Sequence, residues 1–249
     1  MKHVVYIHGA SRHLPDYWHP WRDALLPHLG GADVRFHGVL YSDIVNPAMH
    51  WLPEWAFRRM VEGERERQGY GPWVIPRTPG ILAEVGRQFV SWPRKREAVV
   101  QRVVAALDGP LSQTSDVTVI CHSFGTIVGP EVCWHWEKAG LGLTVIKNLI
   151  LWGGRNDLGP VVDLWTKGKP DGWQVHRPEL VDRILNLSCY GDFAGGPSDP
   201  TLWVPRPGDL DLGTRIPLAG KRDIPGGHCD GFNPANDFAQ KLMADAILR

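Results

Sequence analysis

The stretch Val117–Gly129, VTVICHSFGTIVG, constrains this chain more than any other. An apolar, β-branched run through Val117, Val119 and Ile120 stops at Cys121-His122-Ser123-Phe124-Gly125. A mostly apolar, helix-like segment follows from Thr126 to Trp136. A strand that enters a tight turn with serine at its tip and leaves it as a helix has the layout of a nucleophile elbow. Such a turn lifts Oγ above a sheet and sets beneath it a helix N-terminus, whose unpaired N–H groups suit a developing oxyanion. The usual pattern is G-x-S-x-G, because bulky side chains beside the turn collide with neighbouring backbone. Here Cys121 takes the place of the first glycine; cysteine is small and suited to burial. The competing reading is a buried serine that merely caps a helix.

A serine hydroxyl is a weak nucleophile near neutral pH and needs a base, an acid to orient that base, and oxyanion donors. His228 is the candidate base. It stands in the glycine-rich segment Arg222–Gly231, ahead of a helix that opens near Asn233-Pro234 and carries Phe238, Leu242, Met243, Ala246 and Ile247. For the acid, the apolar run Ile184–Tyr190 reads as a buried strand ending at Gly191-Asp192, which sets Asp192 at the C-terminal edge of the sheet. Asp157, after the strand Val145–Leu151, is the alternative, and Asp199 and Asp230 remain open. Oxyanion donors are expected from the N–H of Phe124, after the serine, and from the N–H of Ala10, after the strand that ends Ile7-His8-Gly9. The His8 side chain is expected to be structural, bonding loop backbone.

On His8-Gly9, Cys121-His122-Ser123-Phe124-Gly125, Gly191-Asp192 and His228, the chain resembles a serine hydrolase of the α/β-hydrolase superfamily. It is similar in layout to small esterase-like and lipase-like members whose sheet begins with the His-Gly strand. The likeness spans nearly the whole chain, but its motifs name a superfamily and not a substrate. It implies cleavage of an acyl bond, a carboxylic ester above all, in a small molecule through an acyl-Ser123 intermediate. Such chemistry calls for no metal and no organic cofactor. Acyl transfer, a lyase reaction on a hydroxynitrile-like substrate, and ligand binding without catalysis stay open as alternatives. Besides Cys121, one departure stands out: Gly129-Pro130 should kink or end the helix after the serine.

At 249 residues the chain fits one α/β domain, residues 1–249, with a sizeable core. Strands are expected at His3–Ile7, Val34–Val39, Val117–Cys121, Val145–Leu151, Ile184–Tyr190 and near Ile216–Leu218 or Arg222–Ile224. Helices are expected at about Tyr17–Leu29, Arg96–Leu107, Phe124–Lys138 and Ala235–Leu248, so that the elements alternate as in a doubly wound, mostly parallel sheet of about six strands. The stretch 41–93 breaks the alternation. It is too long for a plain connection, holds Trp51, Trp55, Trp73 and Trp92 with a helix candidate at Glu54–Gln68, and reads as a helical cap inserted over the site. Trp165–Trp173 reads as a possible second wall; the competing reading of all these tryptophans is core packing.

Charge balances, 27 acidic against 27 basic residues, which excludes a global field that would gather nucleic acid or anionic membrane. The four cysteines show no C-x-x-C spacing and no H-E-x-x-H occurs, so free thiols in a reducing cytoplasm are expected. Met1-Lys2-His3 runs straight into a strand without a signal-peptide pattern, and no apolar run reaches membrane-spanning length. The oligomeric state is not legible.

Overall fold

The computed structural model describes residues 1–10, 12–45, 47, 55–56, 58–59, 80–140, 146–154, 159–189, 203–216 and 236–249. Six strands form one sheet: β1 (Lys2–Ile7), β2 (Val34–Val39), β3 (Val117–His122), β4 (Ile146–Trp152), β5 (Val181–Cys189) and β6 (Leu210–Ile216). Their order is β2-β1-β3-β4-β5-β6 and every pairing is parallel. The helices are α1 (His19–Leu25), α2 (Ser42–Val45), α3 (Gly80–Gln113), α4 (Gly125–Lys138), α5 (Gly159–Thr166) and α6 (Asp237–Leu248).

The pleat sends alternate residues of one strand into two separate cores. Val5 and Ile7 of β1 join Val119 and Cys121 of β3 on the face covered by α3, α4 and α5. Val4, Tyr6 and Ile120 meet Trp21 and Leu25 of α1 and Met243 and Ile247 of α6 on the other. Burial on both faces is why these strands read as unbroken apolar runs. Among the described residues no helix is long and apolar enough to cross a membrane.

Four expectations need correction. The sixth strand lies at Leu210–Ile216, earlier than either expected position. As an edge strand with Asp211 and Arg215, it shows too little apolar pattern to stand out. The helix expected at Arg96–Leu107 runs from Gly80 to Gln113, straight through Pro93, so the end of the 41–93 stretch and the core helix are one element. Proline inside a helix costs about 3 kcal/mol; burial of Trp92 just before it, on Phe124, offsets that cost. In the same way α4 continues through Pro130 to Lys138 because eleven of its residues are buried between sheet and neighbouring helices. Tyr17–Leu29 resolves into α1 and a 3-10 turn at Leu26–His28. The Glu54–Gln68 helix candidate lies almost wholly outside the described residues, as do Trp51 and Trp73.

Trp165 is not a pocket wall: it sits in the core, donates from Nε1 to the Ile127 carbonyl at 3.1 Å, and packs on Trp134 and Trp203. At the far end of the sheet, buried Arg177 clamps the starts of β5 and β6. It meets both oxygens of Asp209 at 2.7 Å and the carbonyls of Val181 and Asp182 at 2.8 and 2.9 Å. Burial alone would raise the Asp209 carboxyl, but Arg177 and the N–H groups of Arg206 and Ile184 outweigh it and hold the group below its ordinary range.

Candidate active site

The strand order fixes where a site can form. β2 lies on one side of β1, while β3 and all later strands lie on the other, so the sheet reverses its winding between β1 and β3. In an open parallel sheet the crevice for ligands lies outside the strand C-termini at such a reversal. Ile7 pairs with Cys121 in the register of these two strands. The chain therefore leaves them side by side, as His8-Gly9-Ala10 from β1 and as Ser123-Phe124 from β3.

Ser123 has φ +54°, the one non-glycine residue at positive φ among those described. For an L-residue this conformation costs roughly 1–2 kcal/mol and persists only where the surroundings enforce it. Three bonds enforce it here. The Ser123 N–H donates to the Trp152 carbonyl at 2.9 Å, prolonging the β3–β4 ladder, while its own carbonyl accepts from the N–H and Oγ1 of Thr126 at 2.9 and 2.7 Å.

Close approach on both sides accounts for the glycines around the turn. A Cβ on Gly125 would sit 2.5 Å from the Ile7 carbonyl oxygen, and one on Gly9 would sit 2.7 Å from Ser123 Cβ. The variant cysteine fits by a separate route: a Cβ on Gly129 would lie 2.4 Å from Cys121 Sγ but 3.7 Å from Cys121 Cβ. The sulfur thus occupies a notch in α4 that Gly129 leaves open. Gly129→Ala alone is expected to destabilise the protein by about 2 kcal/mol through overpacking. Cys121→Ala/Gly129→Ala should restore stability, and equal losses in the single and double variants in urea unfolding would refute the notch. Cys121 and Cys133 are free, buried thiols, and burial pushes both well above the ordinary thiol range. A neutral, enclosed Cys121 is a poor nucleophile.

The strip His8-Gly9-Ala10 is held by side chains at each carbonyl. Tyr41 Oη donates to the His8 oxygen, His8 Nδ1 to the Gly9 oxygen at 2.7 Å, and His13 Nε2 to the Ala10 oxygen at 3.2 Å. The tautomer of His8 follows from its other nitrogen, which accepts the Tyr41 N–H at 3.1 Å. Its ring stacks on Tyr41, with ring centres 4.0 Å apart, and meets the tilted ring of His13 at 4.2 Å. Burial lowers the His13 pKa to about 4 against the opposing pull of the Ala10 and Gly9 carbonyls, so the ring stays neutral near pH 7. The structural role expected for His8 is what its contacts display; His13 and Tyr41 belong to the same device and were not singled out in the sequence. With these carbonyls turned away, no carbonyl among the described residues accepts from the N–H of Ala10 or of Phe124.

Phe124 is buried, with Phe89 and Trp92 of α3 edge-on against its ring at 5.3 and 5.4 Å. The structure thus brings Ser123, Phe124 and Ala10 together. Asp192 and His228 lie outside the described residues, as do Asp157, Asp199 and Asp230. The last described residue of β5 is Cys189, at the same sheet edge as Ser123. No protein-family model, no curated protein and no solved structure matches this chain.

Proposed function

We propose that this protein is a serine hydrolase of the α/β-hydrolase type, cleaving a carboxylic ester of a small molecule. The observation that carries the reading is the left-handed backbone of Ser123, at the reversal point of a parallel sheet and at the head of a buried helix. A serine that only capped a helix would have no need of a strained conformation. Six parallel strands agree with a hydrolase core that lacks its first two strands. The tryptophan-rich stretch 41–93 would act as the cap, with the first turns of α3 as the part of it that adjoins Phe124.

In this mechanism Ser123 Oγ attacks the ester carbonyl as His228 takes its proton, and Asp192 holds the imidazole and stabilises its charged form. The oxyanion is bound by the N–H groups of Ala10 and Phe124, each worth roughly 3 kcal/mol at the transition state. His228 returns the proton to the departing alkoxide, which leaves as the alcohol. It then deprotonates a water that attacks the acyl-Ser123 carbonyl; the acid departs and Ser123 regains its proton. The chain's own groups complete this cycle.

The test is intact-mass analysis after treatment with a fluorophosphonate, which phosphonylates only an activated serine. Wild type should gain one adduct per chain, while Ser123→Ala and His228→Ala should gain none. A folded wild type that stays unlabelled by both a large and a small fluorophosphonate would overturn the reading.

A further inference from the structure

Gln88 of α3 is fully buried, at 0% exposure, and among the described residues neither its Oε1 nor its Nε2 has a hydrogen-bond partner. Trp92, one turn further along, is equally buried, and its Nε1 likewise finds no partner among the described residues. Buried amides in folded proteins are almost always paired, because desolvating them without compensation is costly. Leucine or methionine would fill the same helix position at no such cost. An amide kept there without a partner therefore points to a partner that arrives from outside.

Its place in the fold says what that partner is. Residues 88, 89 and 92 are spaced to share one face of α3. Phe89 and Trp92 of that face lie against Phe124, the residue that follows Ser123. The unmet set comprises the two amide hydrogens of Gln88, the indole hydrogen of Trp92 and the Gln88 carbonyl oxygen. A trans secondary amide, whose N–H and carbonyl point in opposite directions, complements it, its N–H donating to Gln88 Oε1 and its carbonyl accepting from Trp92 Nε1.

We propose that Gln88 and Trp92 recognise an amide in the acyl part of the substrate, so that the site selects N-acylamino-acyl esters over plain alkyl esters. This rests on the serine-hydrolase reading. A site built to hydrogen-bond a substrate group rejects the analogue that lacks it, because its own buried groups are then left unpaired.

The experiment compares kcat/KM for the p-nitrophenyl esters of N-acetylglycine and pentanoic acid, which have acyl chains of equal length. Gln88→Met should lower the ratio of amide to alkyl ester about 30-fold, with the Tm of the free protein equal to or above wild type. Trp92→Phe keeps a ring against Phe124 but loses the N–H, and should lower the ratio about fivefold; it also serves if Gln88→Met does not fold. Ratios within twofold of wild type in the folded variants overturn the proposal, all the more if Tm falls. A labelled, active wild type with such flat ratios removes this inference alone. A folded wild type that takes no fluorophosphonate and cleaves neither ester removes the serine-hydrolase reading and this inference with it.

Discussion

Ser123→Gly is expected to abolish turnover and at the same time to make the protein more stable. The serine is held at φ +54°, where a Cβ is disfavoured and glycine is not. Glycine relieves that strain, although it also loosens the unfolded chain, and the net gain should be about 1 kcal/mol. For a chain of this size that is a rise in Tm of roughly 2–4 °C. Ser123→Ala keeps the Cβ and with it the strain, so its Tm should match wild type. Both variants lack the attacking oxygen, and ester hydrolysis should fall by roughly 10^6-fold in each. The pair separates two claims that one variant would blur: activity reports on the hydroxyl, while the difference in Tm between glycine and alanine reports on the backbone. Equal Tm values would mean that nothing in the fold holds this position under strain. Undiminished turnover would mean that another group attacks.

Strands buried on both faces were the most legible part of the sequence. β1 and β3 differ from expectation by one residue at one end and β4 by one at each end, while β5 begins three residues before the expected Ile184; β2, a half-exposed edge strand, nevertheless falls at the expected Val34–Val39. β6 was misplaced because Asp211, Gly213 and Arg215 break up its apolar pattern. Local rules also failed at Pro93 and Pro130, where tertiary burial of Trp92 and of most of α4 outweighs what proline does to an isolated helix. At the site, the serine and both proposed N–H donors could be located because strand, turn and glycine signals are local. The burial of Gln88 could not be foreseen, because a glutamine in an amphipathic helix reads as solvent-facing. His13 and Tyr41 were invisible for another reason, since the stack on His8 joins segments that adjoin only once the sheet has formed.

The turn at Ser123 is also a junction in the packing, and Gly125→Ala exposes that role with a loss that helix propensity predicts in the wrong direction. Within a helix, alanine is better than glycine by about 0.5–1 kcal/mol. Gly86 of α3 shows the simple case: among the described residues a Cβ there meets nothing within 4 Å, and Gly86→Ala should stabilise by that amount. At Gly125 the added Cβ would lie 2.5 Å from the Ile7 carbonyl oxygen and 2.8 Å from that of His8. Both are backbone atoms, Ile7 within the β1–β3 ladder and His8 tied to Tyr41, so neither can swing aside as a side chain could. Relief requires α4 to retreat from β1, which loosens the contacts of Phe124 with Phe89 and Trp92 and moves the Phe124 N–H away from Ser123. The expected outcome in urea unfolding is a loss of about 3 kcal/mol for Gly125→Ala, opposite in sign to Gly86→Ala. Fluorophosphonate labelling should slow at least tenfold in Gly125→Ala under conditions where it remains folded, since a misplaced oxyanion donor costs that much or more. Stabilisation of both variants would show that α4 does not press on the end of β1, and that the close fit around Ser123 is not what holds its backbone in the left-handed conformation.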